Sequence, residues 1–149
     1  MKWHESCIYM ELPREYSVEE LAKFHGHLSH FIVLSYRIGR FAIKYFDNKP
    51  FPLFATVYCS VQPPESCLID GIQIWSGCID GKRNIELSIS PCIPVMLRHA
   101  DCGAIFLKQG SYLSRWAEFD GVNKELALEN FAEAMYSIPH EELVCVEEV

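Results

Sequence analysis

The stretch Phe31 to Phe46, "FIVLSYRIGRFAIKYF", constrains the fold more than any other part of the chain. Its only charges are Arg37, Arg40 and Lys44. They fall at i, i+3 and i+7, which draws one polar stripe along a helix that is otherwise buried. Three charges in the longest apolar run argue against a membrane span. Ser35, Gly39 and Ala42 form a strip of small residues on the same helix, where another element can approach closely. A chain of 149 residues is long enough to build one core around such a helix.

Local signals place the remaining elements. Ser17 with Glu20 three residues later is a capping-box pattern, so a short helix should run from Val18 toward His25 and stop at Gly26. Ser29 is placed to cap the long helix, and Asp47-Asn48-Lys49-Pro50 to end it. "LFATVYCSV" (53–61) reads as a buried strand. Pro63-Pro64-Glu65 opens a third helix that Gly77 closes. "RNIELSIS", "IPVMLRH" and "GAIFLKQ" read as three successive strands. Asn123 should cap the helix "KELALENFAEAMYS", which Pro139 stops, and "ELVCVEEV" reads as a last strand. Strands and helices do not alternate regularly. The expectation is therefore an α+β fold, a single domain over residues 1–149 with a mainly antiparallel sheet packed with helices.

The net charge is −7 and no cluster of Lys or Arg stands out, so long-range attraction to nucleic acid or anionic lipid is not expected. "MKWHESCIYMEL" lacks the apolar segment of a signal peptide, and the protein is expected in the cytoplasm. The seven cysteines are irregularly spaced and form no CxxC, which is not a disulfide framework. Cys7, Cys59, Cys92 and Cys145 read as packing residues.

Chemistry concentrates in "FHGHLSHF" (24–31), where three histidines and a serine crowd a helix junction. His25 and His27 flank Gly26, and glycine lets the chain bend so that both imidazoles can face one centre. Neutral imidazole is a common ligand for zinc and other transition metals. An acid–base pair, or histidines that only hydrogen-bond at the lip of the helix, remain alternatives. His30 already lies in the first helical turn and reads more as packing.

Cys67 falls in the first turn of the helix that follows Pro63-Pro64, where unpaired amides and the helix dipole are expected to lower its pKa. Cys78 lies eleven residues on, roughly 16 Å away along a helix, so it could contribute only from a neighbouring subunit. Asp70 and Gln73 sit one turn above Cys67 and could orient ligands from behind. His99 and Cys102 form an HxxC turn with no second pair nearby. The loop "GCIDGKRN" (77–84) lacks the spacing of a P-loop.

Two segments together, "FHGHLSHFIVLSYRIG" and "ESCLIDGIQIWSGCIDGKRN", resemble the paired signatures of the FmdE family, which is named after formylmethanofuran dehydrogenase. There an FHGHLCPG-type element opens a helix with a Gly-Tyr-Arg centre. A D-[AS]-C-x-x-D-[AG]-[IV]-Q segment follows, and then T-G-C-T-x-G-K-G-N. His25, His27, Cys67, Asp70, Gln73, Cys78, Gly81, Lys82 and Asn84 match, and "IPHEELVCVEEV" is similar to the end of the family's core domain. Ser29 stands where the family has cysteine, and His30-Phe31 replace Pro-Gly.

The resemblance implies the core domain of the family, without its C-terminal zinc-finger extension, often dimeric and with a metal at the His/Cys motif. The expected ligands are His25, His27 and Cys67, with Cys78, Ser29 and His30 as further donors and Asp70 and Gln73 behind them. Zinc is the first expectation for mixed nitrogen and sulfur donors. A coordination position left open would admit water or a small molecule. The alternative is an accessory protein without catalysis, serving metal or cofactor handling or assembly around a formylmethanofuran dehydrogenase-like complex. A thiol redox role for Cys67 is weakened by serine at 29.

Overall fold

The computed structural model describes residues 9, 14–46, 53–92, 94–99, 103–112 and 124–148. The first helix, α1 (Val18–His25), begins as its capping pattern predicts: the Glu20 amide donates to Ser17 Oγ at 3.1 Å. It ends at Gly26, whose φ of 97° is left-handed and whose amide donates to the Ala22 carbonyl. The long helix α2 (His30–Tyr45) follows at once. The residues expected to end it, Asp47 to Pro50, lie outside the described residues, as do Asn123 and Cys102.

Strand β1 (Leu53–Cys59) leads through a 3₁₀ turn (Glu65–Cys67) into α3 (Leu68–Ser76), closed by Gly77 at φ 73°. Then come β2 (Ile85–Ile89), β3 (Val95–His99), β4 (Gly103–Gln109), α4 (Lys124–Met135), α5 (His140–Leu143) and β5 (Val144–Glu148). The one-turn α5 takes residues expected to begin the last strand. His140 follows Pro139, and the chain straightens only at Val144.

The strands form one sheet in the order β2-β1-β3-β4-β5. The β1–β2 ladder is parallel and the other three are antiparallel, so the fold is α+β with a mainly antiparallel sheet. A parallel neighbour requires a crossover, and α3 supplies it. Register stacks the apolar positions on one face: Ala55 pairs with Leu97 and Leu97 with Ile105, while Val57 pairs with Val95 and Val95 with Leu107. All of these are buried in the same core as Ile32, Leu34 and Ile38 of α2.

Helix α2 is the spine of that core. Its strip of small residues receives α3. A Cβ built on Gly39 would lie 3.3 Å from the Ile72 carbonyl, and Gly71 of α3 sits against Ser35, Tyr36 and Ile32. The charged stripe behaves differently from expectation. Arg37 is only 9 % exposed, and its Nη1 donates to the Met135 carbonyl at 2.9 Å and the Tyr136 carbonyl at 3.4 Å. It closes the C-terminal end of α4, where a cation meets unpaired carbonyls and the negative end of the dipole. No helix among the described residues is long and apolar enough to cross a membrane.

Candidate functional site

Gly26 does the local work at the junction of α1 and α2. Its left-handed turn separates two neighbouring histidines by environment: the side chain of His25 is only 6 % exposed, whereas His27 is exposed. The two rings still lie close, with centroids 4.7 Å apart and planes 41° apart.

His25 Nδ1 lies 2.6 Å from Oδ2 of Asp70, which stands on the first turn of α3. An ionised carboxylate can only accept, so the hydrogen in that bond sits on Nδ1. In the neutral ring this leaves the lone pair on Nε2, and Nε2 is buried with no partner among the described residues. Metal-ligating histidines are usually oriented in this way, by a carboxylate that fixes the tautomer and the ring. A base would be poised in the same way.

Ser29 lies at the N-cap of α2 but makes no capping hydrogen bond. It is 3 % exposed, and its hydroxyl oxygen has no partner among the described residues. The position at which the FmdE pattern has cysteine is thus buried and leaves the helix amides uncapped. His30 packs its ring against Phe31 and Phe131, with centroids 4.3 and 6.2 Å away, and burial lowers its pKa.

Cys67 departs from expectation: its pKa is raised, not lowered. Burial is the larger cause and the neighbouring Asp70 carboxylate the second. The helix-dipole argument failed because Cys67 ends a 3₁₀ turn and its own amide is bonded to the Pro64 carbonyl at 3.1 Å. The charge that Asp70 adds to this helix start is negative, which opposes a thiolate. A thiol held protonated at neutral pH reacts slowly. Iodoacetamide at pH 7 should therefore label the exposed Cys92 and Cys145 well before Cys67, with Cys67 catching up as pH rises. Peptide mapping that found Cys67 labelled first at pH 7 would contradict this.

Cys78 is fully buried in the core, its Sγ 3.5 Å from the Leu53 carbonyl, and its pKa is pushed up to about 11, chiefly by burial. The structure places it as a small core hydrophobe rather than at a surface that a neighbouring copy could reach. Gln73 holds the loop after α3, accepting from the Asp80 amide at 3.1 Å. Asn84 is buried beneath the same loop, accepting from the Ile79 amide and donating to the Leu53 and Gly77 carbonyls. These motif positions thus brace the loop.

His27 lines a cavity of about 310 Å³ together with Leu28, Glu125, Leu128 and Glu129. The two glutamates were missed in the sequence. Their signal was a spacing of four on α4, which puts both on one helix face. Among the described residues no group of three or more His, Cys, Asp or Glu is arranged to hold a metal ion.

The site defines an α+β protein with a carboxylate-oriented histidine at a helix junction. Residues 24–91 match the family described as "FmdE, Molybdenum formylmethanofuran dehydrogenase operon", so the chain is similar to that family over this segment. The match covers both motifs and ends before β3, so the similarity of "IPHEELVCVEEV" to the family lies outside it. No curated protein matches the chain.

Proposed function

We propose that the protein is a metal-binding accessory component of the systems encoded in formylmethanofuran dehydrogenase operons. One observation carries this reading: a nine-tenths buried imidazole whose Nδ1 is tied to Asp70 and whose Nε2 has no partner among the described residues. Burying an unpaired polar nitrogen is unfavourable. A metal ion at Nε2 removes that cost and uses the tautomer that Asp70 selects. His27 is the second donor, its ring beside that of His25, and Cys67, whose thiol feels the same Asp70 carboxylate, is the third. Ser29 and His30 are further donors on the α2 side. Zinc suits nitrogen and sulfur donors and, when bound, polarises water or a carbonyl. The cavity beside His27, at the lower end of the roughly 300–1,000 Å³ range of ligand pockets, is where a small molecule would meet it. The described cysteines are all free, which supports a reducing compartment such as the cytoplasm.

A second reading, an accessory protein that works without a metal, is favoured by the lack of a three-ligand group among the described residues. Elemental analysis separates the two. Untagged protein should carry about one transition metal per chain, and His25→Ala and Cys67→Ser should each lose it while staying folded. Folded wild-type protein without metal, or metal retained in His25→Ala, would sink the first reading and leave the second.

A further inference from the structure

Away from the histidine junction, α2 carries a second constellation. Arg37, Arg40, Phe41 and Lys44 line a cavity of about 130 Å³ with His140 of α5. Phe41 and His140 stack face to face, with ring centroids 4.2 Å apart and planes 8° apart. His140 Nε2 is buried with no partner among the described residues. The Arg37 guanidinium is buried and uses Nη1 on the end of α4. None of the three cations takes part in an ion pair among the described residues. Glu141 is the carboxylate nearest in effect: it raises the pKa of both Arg37 and His140, yet burial and like charge outweigh it and leave both lowered. In a chain of net charge −7, three cations on one small cavity, none in an ion pair among the described residues, form a local concentration of positive charge.

We propose that this cavity binds a compact tetrahedral oxyanion, held by Arg37, Arg40, Lys44 and His140. Guanidinium groups match oxyanions through paired N–H donors, and bonds between ionised partners are the strong ones. An anion here would offset the repulsion between Arg37 and Arg40 and give His140 Nε2 an acceptor when its ring is protonated, or a protonated oxyanion oxygen when it is neutral. Size limits the ligand. The cavity is well below the roughly 300 Å³ at which pockets for larger organic ligands begin, so it takes an anionic group rather than a whole nucleotide. Charge points to a dianion more than to chloride. Phosphate and molybdate share this chemistry, and so does the phosphate group of an ester. The site is independent of the proposed metal centre, since it shares none of its residues.

Calorimetric titration of the full chain at fixed ionic strength tests this, using inorganic phosphate, sodium molybdate and glycerol phosphate in turn. The control is the Arg40→Gln/Lys44→Gln double variant, which spares the Arg37 contact to α4 and whose folding is checked by circular dichroism. Saturable binding to wild type, weakened about tenfold or more in the variant, is expected. Tighter binding of glycerol phosphate than of inorganic phosphate would identify the ligand as a phosphate group on a larger molecule. Binding of the inorganic ions alone would identify a free oxyanion, and preference for molybdate would name which; all three results uphold the site. Absence of binding by all three probes at millimolar concentration, or the same affinity in the folded variant, overturns it.

Discussion

Gly71→Ala should destabilise the protein by about 3 kcal/mol, at the upper end of typical overpacking costs. Alanine is otherwise favoured over glycine in a helix interior by about 1 kcal/mol, so the sign of the change is itself informative. Gly71 lies where α3 crosses α2, and a Cβ there would be 2.6 Å from the Ile32 carbonyl as well as against Ser35 Oγ and the Tyr36 amide. Two of these three are backbone atoms inside α2, which cannot turn aside as a flexible side chain would. The helices must separate, and the apolar contacts around Ile72 and Leu68 open with them. Gly81→Ala is the control, because nothing lies within 4 Å of its added Cβ. Chemical denaturation of both variants decides the matter. Gly71→Ala as stable as Gly81→Ala would mean that the α2–α3 contact is looser than the structure has it.

The second large effect belongs to the proposed metal centre. Asp70→Asn should weaken metal binding by about 10- to 100-fold, the usual loss when the group behind a ligating histidine is changed. Folding should be spared, since the Asp70 side chain is about one-third exposed. The reason is electrostatic and tautomeric. Asparagine removes the negative charge behind the imidazole, and its amide can present a donor to Nδ1, moving the ring proton to Nε2. Competition between the protein and a zinc-chelating dye measures the change. Wild-type affinity in Asp70→Asn would reduce the His25–Asp70 pair to a structural contact.

Local features of the fold were legible in the sequence where local chemistry decides them. Ser17 and Glu20 announced the start of α1, Gly26 and Gly77 the ends of two helices, and the small residues of α2 the approach of α3. Asp70 was singled out because it lies one turn beyond Cys67, but its pairing with His25, 45 residues away, was not read from the sequence. What escaped was set by distant partners. The Arg37 contact joins residues 98 positions apart, and no local pattern reports which helix end a guanidinium will reach. The pKa of Cys67 was misjudged in direction because a helix start was treated as a dipole alone. The preceding 3₁₀ turn had already used the amide, and Asp70 brought a charge of the wrong sign for a thiolate. Glu125 and Glu129 were overlooked because nothing in their own stretch marks His27 as a neighbour.

The strand order has a consequence for how such a chain can be divided. The segment that matches the family ends between β2 and β3, yet β3 is the partner that hydrogen-bonds the other side of β1, from Leu53 to Val57. Excised at residue 91, the segment would keep both motifs and present an open edge along a central strand, a surface that invites pairing with another chain. Arg37 would also lose the helix end it closes. The stretch that matches the family therefore lacks strands that pair with its own β1. Any exchange, truncation or graft of the motifs has to bring the C-terminal strands with it.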